Sequence, residues 1–192
     1  MSTTDDRGPG DDAGASAGTR PGAAKLRDLL RATVSRIGAV QVEQLRLVAQ
    51  VAADCEAEAR RELAGTVRAW GRPSVEELTH TTVVHELMVV LGTAKPAVER
   101  LIELATRLVR VLPATLAAVQ AGRIDLQRAE VLSQETAVLD DACARQVETV
   151  VLSQVADHDG PWAGLSPRKW RSQIQRLVVQ VDTDAARGAA RQ

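Results

Sequence analysis

The chain has 192 residues, with 24 basic and 25 acidic side chains and a formal net charge of −1, so no excess of positive charge draws it as a whole to nucleic acid or to an anionic membrane. Hydrophobic residues make up 45% of it, with three Trp and neither Phe nor Tyr; a sizeable core is available, and it must be built from Leu, Val, Ile and Ala. The two cysteines, Cys55 and Cys143, form no Cys-x-x-Cys pair, which excludes a disulfide framework and fits a reducing cytoplasm, and no apolar run approaches the roughly 20 residues that a membrane helix needs.

In chain order, residues 1–24 are Gly, Ala, Ser, Thr, Asp and Pro with hardly an aliphatic side chain, which predicts a disordered tail. Asp5, Asp6, Asp11 and Asp12 and the missing apolar stretch exclude a secretory signal there. Residues 25–192 read as one all-α domain, a multi-helix bundle of about eight helices. The longest helical pattern spans 25–64. Leu26, Leu29, Leu30, Val34 and Ile37 share one stripe, and Leu45, Val48, Ala52, Cys55 and Ala59 share another. Gly38 between them predicts a break or bend, since Gly costs about 1 kcal/mol against Ala in a helix. Packing of both stripes within the chain is the first reading. A homodimer through 25–64 is the alternative, although the repeat is too ragged over too few heptads to establish a coiled coil.

Gly71-Arg72-Pro73 reads as a loop, and Ser74 with Glu77 makes a capping box that starts a helix running to Leu91. From there the segment 74–139 holds two helix–turn–helix-like patterns in tandem. In the first, Val84, Leu87, Met88 and Leu91 mark one helix, Gly92 stops it, and Pro96 suits the first turn of the next. Val98, Leu101, Ile102, Ala105, Leu108 and Val109 continue the period until Leu112-Pro113 breaks it. In the second, Thr115, Leu116 and Val119 precede a stop at Gly122, Asp125 is an N-cap, and Ala129, Leu132 and Ser133 continue a packed face. The C-terminal helices occupy 140–192. Asp140 caps one through Val155, 157–165 is a loop, and Ser166 caps another with Pro167 at its first position. Trp170, Ile174, Leu177, Val178 and Val181 form the buried face of that helix, and 182–192 is a fraying last helix or a connector.

No arrangement for catalysis emerges. His80, His85 and His158 lack the spacing of a metal site; His80 and His85 are five apart, which splays them around a helix. Ser133, Ser153 and Ser166 have no glycine elbow, and no glycine-rich phosphate loop follows a strand. The chain is therefore expected to be no enzyme and to hold no metal, cofactor or small-molecule substrate. Binding is left. Lys95, Arg100, Arg107 and Arg110 run along one helix, Arg123 and Arg128 flank the second turn, and Arg168, Lys169, Arg171 and Arg176 cluster beside Trp170. Such side chains suit the phosphates of double-stranded DNA. Trp170 itself suits the core better than a base-stacking role. Arg107 and Arg123 edge the two turn units off the apolar stripe, so reversing them to Glu is expected to weaken DNA binding without touching helicity or melting.

The string L-G-T-A-K through A-V-E-R-L-I-E-L-A to L-V-R-V-L-P-A-T-L-A-A-V-Q-A-G-R-I-D and A-E-V-L resembles the helical N-terminal domain, itself of unknown function, of the actinobacterial mycobacterial-repeat-element proteins. Its most specific part is Leu-Pro-x-Thr-Leu with a Gly six residues on, at 112–122, and the resemblance runs over 78–191. Full-length members of that family usually carry a C-terminal HNH endonuclease domain, whose motif this chain lacks. The resemblance implies an accessory domain that binds or positions DNA. A protein-interaction or self-assembly module, and an inactive remnant of a repeat-derived gene, are the other readings. Residues 122–132 also resemble the helix–turn–helix of partition-type DNA-binding proteins.

Overall fold

The computed structural model describes residues 22–64, 74–155, 161–162 and 164–189. The tail expected over 1–24 lies outside these residues as far as 21, while Ala23 and Ala24 already belong to the first helix; the 71–73 loop, His158 and much of the 157–165 loop are also outside them. Among the described residues there are seven helices and no strand: α1 (Ala23–Ala64), α2 (Val75–Leu91), α3 (Lys95–Arg110), α4 (Pro113–Gln120), α5 (Leu126–Glu135), α6 (Asp141–Val155) and α7 (Pro167–Ala189). The protein is an all-α bundle.

Local chemistry sets the helix ends. Ser74 accepts from the backbone N–H of Glu77, and the Glu77 carboxylate accepts from that of Ser74, so two orphan donors of α2 are satisfied reciprocally. Gly92 then closes α2 in the left-handed region at φ 58°. Asp125 caps α5 through the N–H of Arg128 at 2.7 Å, and Asp140 caps α6 through that of Cys143 at 2.8 Å. At the end of α4, Gly122 N–H reaches Val119 O and Arg123 N–H reaches Ala118 O, both at 2.9 Å, the paired bonds of a Schellman turn. The two tandem helix pairs, α2–α3 and α4–α5, are thus present with the turns read from sequence.

Helix α1 departs from expectation in two ways. It runs unbroken for 42 residues, so Gly38 neither breaks nor ends it, and two expected helices merge into one. The glycine serves close packing instead: a Cβ there would lie 2.1 Å from Val119 O of α4. Ser35 lies close to the turn after α4, where a Cβ on Gly122 would come within 3.1 Å of its backbone. Secondly, the stripe from Leu26 to Ile37 is not buried. Every residue from 22 to 34 is exposed, because the bundle meets α1 at Ser35 and Gly38 and leaves about three turns standing clear. The second half packs as read, with Val42, Leu45, Val48 and Ala59 buried.

Helix α1 lies along α2, α3 and α4, α7 lies on α5 and α6, and α4 touches α6 to join the two groups. Among the described residues the buried hydrophobic side chains are aliphatic except for Trp170, which is wholly buried. Its indole N–H donates to Arg128 O at 3.2 Å, and its ring meets Trp162 edge-on at 5.8 Å. Helix α7 continues without interruption to Ala189, absorbing much of the segment read as a separate last helix.

Candidate nucleic-acid interface

A cation can neutralise a phosphate only if the fold leaves it free to do so. Arg107 is not free. Half-buried, it donates from Nε to Ser133 O at 3.1 Å and from Nη2 to Thr136 O at 2.6 Å. Ser133 lies in the last turn of α5 and Thr136 is its C-cap, so neither carbonyl has a helical donor four residues on, although Thr136 O also accepts from Leu139 N–H at 3.1 Å; a guanidinium there meets the negative end of the helix dipole. Arg128 is similarly placed. It donates to Leu165 O at 3.0 Å, sits 5.4 Å from the Trp170 ring centre, and lies 3.8 Å from the Asp125 carboxylate. Arg171 pairs with Glu135 at 3.3 Å, Arg110 with Glu56 at 3.5 Å, and Lys95 with Glu99 at 3.7 Å. In the last three the cation is exposed and its carboxylate partly covered, and a phosphate could compete for the cations.

Helix α5, the second helix of the second turn unit, does not stand out for groove reading. Only Gln127 and Gln134 of its residues are exposed. Helix α7 lies over it, held by the Trp170 N–H, by Arg171 on Gln134 and Glu135, and by Gln175 on Glu135 at 3.0 Å. A recognition helix needs one whole side open to enter a major groove. This one is covered.

Helix α7 itself offers the open basic face. Arg168, Ser172 and Arg176 follow at i, i+4 and i+8, with Lys169 and Gln173 beside them, opposite the buried row of Trp170, Ile174, Val178 and Val181. These residues line a shallow groove that begins at Leu165 and Ser166. The side chains of Arg168, Lys169 and Arg176 make no hydrogen bond or ion pair with any described residue, and no acidic side chain occurs over 167–181. The Ser166 hydroxyl accepts weakly from Lys169 N–H at 3.4 Å, so the positive end of the helix points into the same region. Arg100 and Arg123 are also unpaired among the described residues, on α3 and on the turn after α4. Sequence reading named the cations of α7 but not Ser172 and Gln173, which their four-residue spacing from Arg168 and Lys169 would have found.

No group of three or more His, Cys, Asp or Glu is placed to hold a metal ion among the described residues. His80 lies 3.6 Å from Glu99, and His85 is exposed on α2. Neither thiol is activated: burial, followed by the nearby Glu86 carboxylate, pushes Cys55 above its ordinary value, and desolvation with Asp140 does the same for Cys143. No described helix is long and apolar enough to cross a membrane.

Compared with known families, residues 42–192 match the model of the Domain of unknown function (DUF222). The chain belongs to this family. No curated protein and no solved structure matches it. The DUF222 stretch starts at Val42, the first fully buried aliphatic of α1, and so takes in the α1 segment that packs on α2, α3 and α4 as well as the six helices after it. Within the DUF222 domain the Leu-Pro-x-Thr-Leu run has an architectural role. Leu112 and Leu116 are buried, Pro113 occupies the first turn of α4, and Gly122 makes its closing turn. Leu112 offers no side-chain cap, and Glu148 of α6 supplies one: its carboxylate, almost wholly buried, accepts from Thr115 N–H at 2.6 Å. Sequence reading missed Glu148. The signal was its place on the face of Ala144, Val147, Val151 and Val155.

Proposed function

We propose that this chain is a non-catalytic module that binds or positions double-stranded DNA by phosphate contact, using the outward face of α7. The observation that carries the reading is the row of Arg168, Lys169 and Arg176, unpaired among the described residues and free of acidic neighbours on its own helix over 167–181. The net charge of −1 makes this a local effect of one face. Arg100 and Arg123 are additional phosphate ligands, and Lys95, Arg110 and Arg171 lend theirs by exchange of weak ion pairs. The resemblance to the N-terminal domain of HNH-endonuclease-type proteins supports the same reading, with the chain as the part that holds DNA and another domain as the part that would cut it.

Fluorescence anisotropy with a mixed-sequence duplex tests this. Affinity should fall with salt at a log–log slope of about −0.9 for each phosphate neutralised. The double variant Arg168→Glu, Arg176→Glu should weaken binding about tenfold or more at low salt, equally for every sequence, and flatten the slope. Arg145→Gln on α6, where Arg145 pairs with Asp141 and reaches Val111 O, should bind as the parent does. Absence of binding at low salt, or binding indifferent to the double reversal, removes the proposal.

A further inference from the structure

Helix α1 carries an apolar face that the described fold leaves open except at Val51, which is half-buried against the core. Leu26, Leu30, Ile37, Val40 and Leu47 are 48–65% exposed. With Thr33, Gln44 and Val51 they fall at alternating spacings of four and three, the a and d sites of a heptad repeat sustained over about 39 Å of helix. This seam runs beside the face that Val42 and Leu45 bury in the core, so filling the core leaves it open. Over its second half it forms one wall of an apolar groove whose other wall is Val90 and Leu91 of α2, with Val90 itself 77% exposed. Over its first half it belongs to the turns that stand clear of the bundle.

We propose that α1 pairs antiparallel with α1 of a second copy, about a two-fold axis between Ile37 and Val40. Two features of the sequence on this helix bear on the pairing: the first sets the register of an antiparallel pair, and the second selects its direction. The first is the pair of polar seam positions that make the repeat ragged. With Ile37 set against Val40 of the second copy, Thr33 falls against Gln44, Leu30 against Leu47 and Leu26 against Val51; polar meets polar and apolar meets apolar in every layer. The second is charge. Arg36 and Glu43 occupy g sites on the solvent side of the seam. Arg36 touches only the Thr33 hydroxyl, at 3.4 Å, and Glu43 has no hydrogen bond or ion pair among the described residues. In the antiparallel register each Arg36 faces Glu43 of the other copy, and the two-fold axis makes the pair twice. A parallel pairing sets Arg36 against Gln41 and Glu43 against the buried Val48, and loses both. The clear-standing turns of each copy then lie along the α1–α2 groove of the other, which covers Leu26 and Leu30 together with Leu47 and Val90. The interface shares no residue with the α7 face, so it stands or falls separately from DNA binding.

Sedimentation equilibrium on the full chain tests the pairing. A dimer that dissociates on dilution is expected. Arg36→Glu alone and Glu43→Arg alone should each weaken it about tenfold, since each places like charges together twice, and the combined R36E/E43R variant should return to within about threefold of the parent. All of these positions are exposed, so helicity should be unchanged throughout. Ile37→Asp should give a folded monomer. A parent chain that stays monomeric at about 100 μM overturns the proposal. So does a dimer indifferent to the single reversals, which is the result expected of a parallel pair, or a combined variant no tighter than the singles.

Discussion

Glu148 and Arg107 show how one side chain can close a helix end that the local sequence leaves open. Glu148→Ala strands the N–H of Thr115 in a buried site and leaves a hole, and should cost about 2 kcal/mol or more, seen as a melting temperature lower by several degrees. Glu148→Gln keeps an acceptor and should cost less. Arg107→Glu puts a carboxylate against two carbonyl oxygens at the end of α5 and should cost a comparable amount, so Arg107 cannot serve as a clean probe of DNA contact. These bonds stand against the expectation that its reversal leaves melting untouched; the Arg123 side chain has no such partners among the described residues. Titration of the thiols follows from their surroundings. Cys55 and Cys143 both have folded values raised above the ordinary one, so at mildly alkaline pH they are less ionised than a free thiol. Alkylation by iodoacetamide in the folded protein should therefore be slower than for a model peptide and should accelerate only at higher pH. For stability the sign is that the thiols' contribution is complete below the unfolded value and is lost as pH rises through the folded one.

Among the elements, α1 separates what propensity predicts from what packing requires. By propensity Gly38→Ala should stabilise a long helix by up to about 1 kcal/mol. Against Val119 O, which belongs to the backbone of α4 and cannot swing away, the added methyl forces the two helices apart. The expected net effect is destabilisation by about 1–3 kcal/mol, measurable by urea unfolding; a more stable variant would mean that α1 and α4 do not approach as described. The same contrast explains what the sequence makes legible. Ends such as Ser74, Gly92, Asp125 and Ser166 are local events, written within a few residues of each other, and were read correctly. The apolar period says which face of a helix is greasy but not whether anything reaches it. Hence Leu26 through Ile37 read as core although α4 ends before it can cover them. The candidate site suffered from the same limit. Whether Arg128 is a phosphate ligand or a clasp depends on Leu165 and Trp170, 37 and 42 residues away, and no local pattern announces them. The α7 row was partly within reach: a stretch free of acids, visible in the sequence itself, rules out ion pairs along its own helix, but not the one that Arg171 makes with Glu135 of α5.

At the scale of the whole molecule, folding and assembly use different parts of α1, and this makes them separable. Residues 22–34 are exposed throughout, so they contribute little to the stability of one protomer beyond extending a helix. Their Leu26 and Leu30 matter only when a second copy covers them. Association that requires the folded chain raises its apparent stability by mass action, which makes the melting temperature climb with protein concentration. Removing everything before Ser35 should leave the melting temperature at high dilution within a degree or two, a shift of less than about 1 kcal/mol for a domain of this size. The same truncation should abolish the rise with concentration, because it deletes the layers at both ends of the antiparallel seam, Leu26 with Val51 and Leu30 with Leu47. Titration of duplex DNA should be unchanged per protomer, since the α7 face lies on another helix. A truncated chain that melts much lower even when dilute would show that those turns pack within their own protomer. One that keeps its concentration dependence would place the dimer contact elsewhere on the surface.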